Sequence, residues 1–541
     1  MLQPMNRKPG QEIQDILTEI QRLHQELDSW TAALAADPLA PEDHYVPNVA
    51  AAYQRIKAGI GRNSDVLMRY LQVPSSPAGP VLMVCLDGIS DTQMVDQDIV
   101  EQLLTASASP NSWDETVVTP ADLGKATEWP DILQKLSTGH TLLFAPGLSF
   151  VWVVDTVKYP QRSIERPQTE LAVRGAEEAF NEVLMTQKTQ IRHRLHTPDL
   201  LFIDQTIGRV QQATLSVAYL EGVANPAVVS TVMERVEALD VDGVMTITQI
   251  AGLIRDHPRS IFPTVRQTER VDIAVWRLLQ GAVLVMMDGD PFVLIAPAPL
   301  IDFYRTAMDY SSSWVDTSFV RIIRFMGWLF GIYLPAVFVA LAEVNPSILP
   351  TSLFVIFQGS NIGLPFPPVV QVVLMILVIE TLREAALRLP KALSTTIGTV
   401  GAIVVGTAVV KAGLVDTQII VIMTLTALSL FATPVYELTG TWRVVGFLML
   451  GAALYLGILG IALMTVAFVA VLVDMKSFGT PYFEPWAPFR PDDWGDAVLR
   501  LPWVDITGRW TAPRSPRPTW RRTSAVSTHP RLQKGKMGSR P

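Results

Sequence analysis

The sequence predicts an α/β cytoplasmic region of two subdomains followed by an α-helical transmembrane domain. Three observations lead there. Residues 1–320 carry Asp, Glu, Lys and Arg throughout, whereas 325–473 hold four long uncharged runs: Phe325–Ala342 (18 residues), Ala392–Val410 (19), Thr417–Tyr436 (20) and Val444–Val473 (30). Between residues 50 and 300, short apolar runs alternate with stretches of helical spacing, the pattern of mixed strands and helices. The whole chain of 541 residues is 49% apolar and its mean hydropathy is positive, which suits a chain lying partly in lipid.

In chain order, 1–48 is expected to be a leading helix and linker. Ile13, Ile16, Ile20, Leu23 and Leu27 recur at steps of three and four, and Pro38, Pro41 and Pro47 follow. No uninterrupted apolar core marks a secretory signal there, which places the region in the cytoplasm. The first subdomain, 50–165, has Val81–Leu86 as a buried strand, a helix over 91–104, and a hairpin of 141–144 and 149–154 around Pro146-Gly147. The second subdomain occupies 166–320. It reads as helix over 170–194, strand over 213–220, helix over 226–239, helix over 271–280 and strand over 282–287. Asp87-Gly88, Glu221-Gly222 and Asp288-Gly289 each close an apolar strand, where glycine permits backbone conformations that other residues resist.

In the membrane domain, 321–475, each uncharged run is long enough to cross, or nearly cross, a hydrocarbon core about 30 Å thick at roughly 1.5 Å per residue. Four crossings place both ends inside, with 346–391 as proline-broken re-entrant or interfacial structure and 444–473 as a single tilted or protruding helix. Tail residues 476–541 are basic and proline-rich, with 12 Lys and Arg against 5 Asp and Glu, and are expected to be cytoplasmic, drawn to anionic lipid or simply solvated.

Catalytic and cofactor signatures are missing. Gly124-Lys125 has Thr119 and Ala126 where a phosphate-binding loop needs Gly and Ser or Thr. There is no His-Glu-x-x-His and no Gly-x-Ser-x-Gly. Cys85 is the sole cysteine, which excludes an intramolecular disulfide and a multi-thiolate metal site. A non-enzymatic protein with no cofactor, no metal and no nucleic-acid partner is expected.

What remains is charge and glycine at membrane depth. Glu380, Arg383, Glu384 and Arg388 share one stripe of a helix, which could line an ion path, make a subunit contact, or lie at the interface with its charges paired internally. Gly398, Gly401 and Gly406 allow close helix packing, and Val400, Val404 and Val405 offer an apolar lining at which a ring of helices could gate by dewetting.

Several longer motifs resemble one family. They are 162–170 (Arg-Ser-Ile-Glu-Arg-Pro-Gln-Thr-Glu), Val173-Arg174-Gly175, 219–226 (Tyr-Leu-Glu-Gly-Val-Ala-Asn-Pro), Thr268-Glu269-Arg270 and Asp288-Gly289-Asp290-Pro291-Phe292. Further on come Leu364-Pro365-Phe366-Pro367, Leu382-Arg383-Glu384-Ala385, Arg388-Leu389-Pro390, 477–482 (Ser-Phe-Gly-Thr-Pro-Tyr) and 487–491 (Ala-Pro-Phe-Arg-Pro). In order from about 160 to 491, they resemble the A subunits of GerA-type spore germinant receptors. The resemblance implies a multi-pass subunit in the inner membrane of a bacterial endospore, forming a homo-oligomer such as a pentamer, that works as a nutrient-gated ion channel. It implies two partners, a transporter-like B subunit that binds the germinant and a lipoprotein C subunit. The sequence departs from the family at Asn361-Ile362, where an Arg-Glu pair is common. Pro160, Gln161, Arg162, Glu165, Glu170 and Arg174 are the candidates for a subunit or subdomain contact. A relative of the dipicolinate-release type, a secondary transporter and a membrane scaffold stay open as alternatives.

Overall fold

The computed structural model describes residues 44–520 apart from 75, 77–78, 106–109, 111–112, 114–122, 159–165, 171, 173, 389–408 and 410. The expected leading helix over 11–34 lies outside them. The chain forms two compact units that divide at residue 160, with His196–Pro198 belonging to the first.

In the first unit, Asn48 caps helix α1 (Val49–Ala58) by accepting from the amides of Ala50 and Ala51. Strands β1 (Val66–Leu71), β2 (Val81–Leu86), β3 (Leu123–Ala126), β4 (Thr141–Phe144) and β5 (Val151–Val154) make a sheet of order β1-β2-β4-β5-β3. Every neighbouring pair is antiparallel. Strand β2 is apolar throughout because both of its faces are covered. Leu82, Val84 and Leu86 pack with Ile56 and with Ile132 and Leu136 of α2 (Trp129–Ser137). Val81 and Met83, pointing the other way, pack with Val95, Ile99 and Leu103. Those three lie in the helical stretch Thr92–Thr105, which includes a π turn over Val95–Val100.

The second unit opens with α3 (Leu184–Arg194) and continues through β6 (Leu200–Ile207), β7 (Ala213–Leu220), α4 (Pro226–Glu237), α5 (Ile247–Ile254), β8 (Arg266–Thr268), α6 (Val271–Gln280), β9 (Val283–Met287) and β10 (Val293–Ala296). The sheet order is β6-β7-β9-β10-β8, again antiparallel throughout. This is the same permutation as in the first sheet. In each sheet two strands are followed by a helical stretch, made of two helices in the second unit, then one strand, one helix and two strands. The acid-glycine corners follow the repeat: Gly88 after β2 and Gly222 after β7 both have positive φ, as do Gly147 and Gly289 in the two final hairpins. Helix was expected over 170–194, but only 184–194 is helical. Within 170–183, Ala179 forms an isolated antiparallel bridge with Arg270, and the Phe180 amide donates to the Glu269 carbonyl at 2.8 Å, so the backbone before α3 is spent on extended pairing.

Helix α7 (Trp314–Val339) continues through a π turn over Ala340–Val344, and α8 (Thr351–Ser360), α9 (Pro368–Arg388), α10 (Thr417–Phe431), α11 (Tyr436–Leu456) and α12 (Ile458–Asp474) follow. Among the described residues, Trp314–Val344 and Tyr436–Leu456 are long and apolar enough to cross a membrane. Residues 368–388 form one helix, the one expected to carry Glu380, Arg383, Glu384 and Arg388 on a stripe. One difference from the expected topology stands out. The run 444–473 is two helices, not one tilted helix, because Gly457 turns the chain at φ +62°. A Cβ at that position would sit 1.8 Å from Asn345 Oδ1, the same atom that accepts from the Ile458 amide at 3.0 Å and so caps α12. Helix α12 folds back along α11, with the Trp442 and Phe468 rings 6.0 Å apart.

The segment expected as a loose tail is built into the second unit as far as residue 520. Strands β11 (Lys476–Ser477) and β12 (Thr480–Pro481) pair antiparallel. Ser477 Oγ accepts from the Ala298 amide and donates to the Thr264 carbonyl. Tyr482, Ala497 and Trp510 are buried in the core shared with Phe303, Trp442 and Leu472.

Candidate functional site

The first turns of α7 carry Arg321 and Arg324, three residues apart and therefore on one face. Both reach Asp309: Arg321 Nε lies 3.0 Å and Arg324 Nη1 3.2 Å from its Oδ2. Asp309 is held by a capping box with Thr306 at the start of the short helix Ala307–Ser311. Arg321 Nη1 also meets Asp496 Oδ1 of the C-terminal segment at 2.9 Å, and the Tyr310 hydroxyl donates to Asp496 Oδ2 at 2.9 Å. Arg305 lies 3.6 Å from Asp496 and 3.8 Å from Asp302, and Arg277 of α6 lies 2.6 Å from Asp302. Arg266 of β8 donates to the Asp302 carbonyl at 2.7 Å and pairs with Glu170 at 2.9 Å. Arg500 donates to the carbonyls of Asp309 and Ser312. Asp302, Asp309, Arg321, Asp496 and Arg500 are all buried.

One continuous ionic network thus joins three parts of the chain: the second sheet, the entry of the long apolar helix α7 and the C-terminal segment. Removing one member of such a buried pair leaves an uncompensated charge, at a cost of about 3–5 kcal/mol. Burial alone would raise the Asp309 carboxyl, but Arg321 and Arg324 outweigh it and hold the group below the usual carboxylate range. Burial likewise opposes ionisation of Glu269, and hydrogen bonds from Thr169 and Glu170 bring it below its ordinary value. For Tyr310, burial pushes the phenol up to about 12.

Of the residues expected at a contact, Glu170 takes part through Arg266 and the Thr268 hydroxyl. Arg174 is exposed, and Pro160, Gln161, Arg162 and Glu165 lie outside the described residues.

A second charged group lies among the apolar helices α9 to α11. Glu380 of α9 accepts from Arg383 at 3.1 Å, three residues on, and from Arg443 of α11 at 2.7 Å. Arg443 had no counterpart in the sequence reading, where it merely bounds an apolar run. Its approach ties α9 to α11 beside a cavity that Gly331, Met423, Leu430 and Phe447 also line. Arg383 further sits 5.2 Å over the Phe431 ring. Glu384 is exposed, and for Arg388 the description covers only the helical backbone.

Where the sequence departs from the resemblance, Asn361 accepts from Gln371 at 3.1 Å, while Gln371 Oε1 accepts from the Asp416 amide at 2.7 Å and Asp416 accepts from Ser360. The loop is therefore fixed by neutral amides and one carboxylate. The proposed lining Val400, Val404 and Val405 and the packing glycines Gly398, Gly401 and Gly406 fall outside the described residues. Close helix packing occurs elsewhere, at Gly327 and Gly331 of α7 against Ser429, Leu430 and Ala432 around the end of α10.

Residues 54–512 match the model of the Bacillus/Clostridium GerA spore germination protein family. The chain belongs to the GerA family. It is 30% identical to spore germination protein KA of Bacillus subtilis over 84% of this chain and 85% of that protein. With spore germination protein B1 of the same organism the identity is 31%, over 84% of this chain and 95% of that one. The crystal structure of the N-terminal domain of the A subunit of the Bacillus megaterium spore germinant receptor GerK3 aligns at 27% identity with a TM-score of 0.38, covering 47% of this chain and 96% of that domain. In this GerA-family chain two of the motifs that carried the resemblance meet in space, Thr169-Glu170 bonding Thr268-Glu269. Others fasten residues outside the motifs: Asp288 and Asp290 accept from the amides of Leu184 and Ile247, and Ser477 accepts from the Ala298 amide.

Proposed function

We propose that this chain is the A-type subunit of a nutrient-responsive receptor in the spore inner membrane, a non-enzymatic protein that oligomerises into an ion channel. Its partners are a transporter-like, germinant-binding B subunit and a lipoprotein C subunit. The N-terminal sheets and residues 476–520 lie on the cytoplasmic side. The observation that carries this reading is the Asp309–Arg321–Asp496 junction. A soluble sheet fastened to a membrane helix by buried ion pairs moves with it, so displacement of one becomes displacement of the other. The Glu380–Arg443 pair supports the same reading as an interhelical tie that can hold or release α9. The pore is lined by Val400, Val404 and Val405.

The test is co-reconstitution of the full chain with its B and C partners in liposomes, reading oligomeric state and ion flux. A ring that conducts only with nutrient present supports the channel. A ring that never conducts makes the chain a scaffold, and flux persisting after Val404→Ala with unchanged nutrient dependence removes the valine gate.

A further inference from the structure

Glu380, Arg383 and Arg443 line a cavity of about 50 Å³ among helices α7, α9, α10 and α11. Its other walls are apolar apart from the hydroxyl of Thr426, which is already engaged by the Ile422 carbonyl at 2.8 Å. Gly331, on the α7 wall, lies near the middle of the 31-residue helical run Trp314–Val344. The cavity is therefore remote from both ends of that run.

The charges in this space do not balance. Two guanidinium groups share one carboxylate: Arg383 Nη1 lies 3.1 Å from Glu380 Oε1, and Arg443 Nη1 lies 2.7 Å from Glu380 Oε2. One positive charge is left over. Among the described residues, Glu380, Arg443 and the Tyr436 phenol are the ionisable groups near enough to act on Arg383. The remaining acidic residues of 325–473 are placed elsewhere. Glu384 is exposed, Asp416 caps α10 and accepts from Ser360, Glu343 is hydrogen-bonded to the Val369 backbone, and Glu437 lies near Arg266 and Glu170. Residues 389–408 contain no Asp or Glu; their one charged residue is Lys391. The donors are in surplus as well. Arg383 Nε and Nη2 and Arg443 Nε are closed to solvent and meet no acceptor among the described residues. Water would satisfy these N–H groups and leave the charge standing, and the Phe431 ring 5.2 Å from Arg383 brings only its quadrupole. A charge enclosed by apolar side chains is unfavourable until a counterion joins it.

We propose that this cavity holds one small inorganic anion, of the size of chloride, between Arg383 and Arg443. The volume sets the size. A water needs about 10–15 Å³, so the space admits an anion of a few atoms and excludes a lipid headgroup or a larger organic acid. With the anion in place, the tie between α9 and α11 becomes two cations and two anions, neutral as a whole. The site stands on burial and charge count, whether or not a ring of subunits conducts.

The experiment uses the full chain in a neutral, phosphate-free detergent at one ionic strength, in potassium chloride or in potassium gluconate, whose anion is too large for the cavity. Thermal unfolding and the chloride-35 magnetic resonance are read on the same samples. The wild type is expected to unfold about 2–4 °C higher in saturating chloride than in gluconate, and to broaden the chloride resonance saturably. Arg383→Gln removes the surplus charge and is expected to lose both effects. Thr426→Leu, which fills the cavity and leaves every charge in place, is expected to lose them too. Equal midpoints in the two salts, with no saturable broadening, overturn the site. So do chloride effects that persist in either variant, because the anion then binds elsewhere. Should Arg383→Gln fail to fold, Thr426→Leu decides. Ion flux from liposomes is read separately, so loss of the channel reading and loss of the anion site are distinct results.

Discussion

Glu380 shows how far one residue's role depends on partners remote in sequence. Its carboxylate is shared by Arg383, one helical turn away, and Arg443, which reaches it from another helix. If the pair with Arg443 ties α9 to α11, Glu380→Gln and Arg443→Gln should each destabilise the reconstituted chain. The double variant should cost less than the sum, with a coupling of about 0.5–3 kcal/mol. Additive losses in thermal unfolding would show that the two side chains merely sit side by side. The spacing of Glu380, Arg383 and Glu384 is written in the sequence, because helical periodicity is local. Arg443 is not, because nothing local distinguishes a charge that bounds a span from one that pairs across it. Asp309 and Asp496 escaped notice for the same reason: each is an ordinary surface-type residue until Arg321 lies against it.

At the scale of elements, legibility follows burial. Strands β2 and β9 are covered on both faces and therefore appear as unbroken apolar runs. Strand β8 has the sequence Arg-Gln-Thr, and its Arg266 and Thr268 side chains are committed to Glu170, so hydropathy gives no sign of it. The 30-residue apolar run predicts one helix because hydropathy does not register backbone conformation; Gly457, at positive φ, marks the break. Glycine also decides how α7 meets α10. A Cβ on Gly331 would lie 2.8 Å from Leu430 Cδ2 and 3.1 Å from its Cγ. Gly331→Val should cost about 1–3 kcal/mol by overpacking, and Leu430→Ala in the same chain should return part of that loss. Thermal unfolding of the two variants in detergent checks this; a double variant no better than Gly331→Val alone would place the fault in α7 itself.

For the molecule as a whole, stability is coupled to pH through its buried carboxylates. Asp309 and Glu269 are both held below their ordinary values. Groups depressed in the folded state contribute stability that is fully present above the unfolded value, about 4, and is lost as pH falls through the folded value. The junction should therefore be indifferent to pH between about 5 and 8 and loosen below about 4. Tryptophan fluorescence would follow the change, since Trp276 and Trp503 pack on Tyr310 next to Asp496. Asp309→Asn should flatten the acid transition in proportion to that residue's share; an unchanged profile would assign the transition to other carboxylates.

The two sheets repeat one strand permutation, although no repeat was visible in the sequence. Topology can recur after residues diverge, and the paired glycine corners are its surviving trace. The C-terminal segment has a different kind of consequence. Arg321 is made well before Asp496, and Gln280 of α6 waits for the Trp510 amide that it binds. Folding during synthesis proceeds from the N-terminus as the ribosome advances. The first unit can therefore mature early, while the second remains an open clasp until helices α7 to α12 have all been made. Closure of that clasp is a built-in checkpoint: the ionic network can be completed only by a chain translated beyond α12.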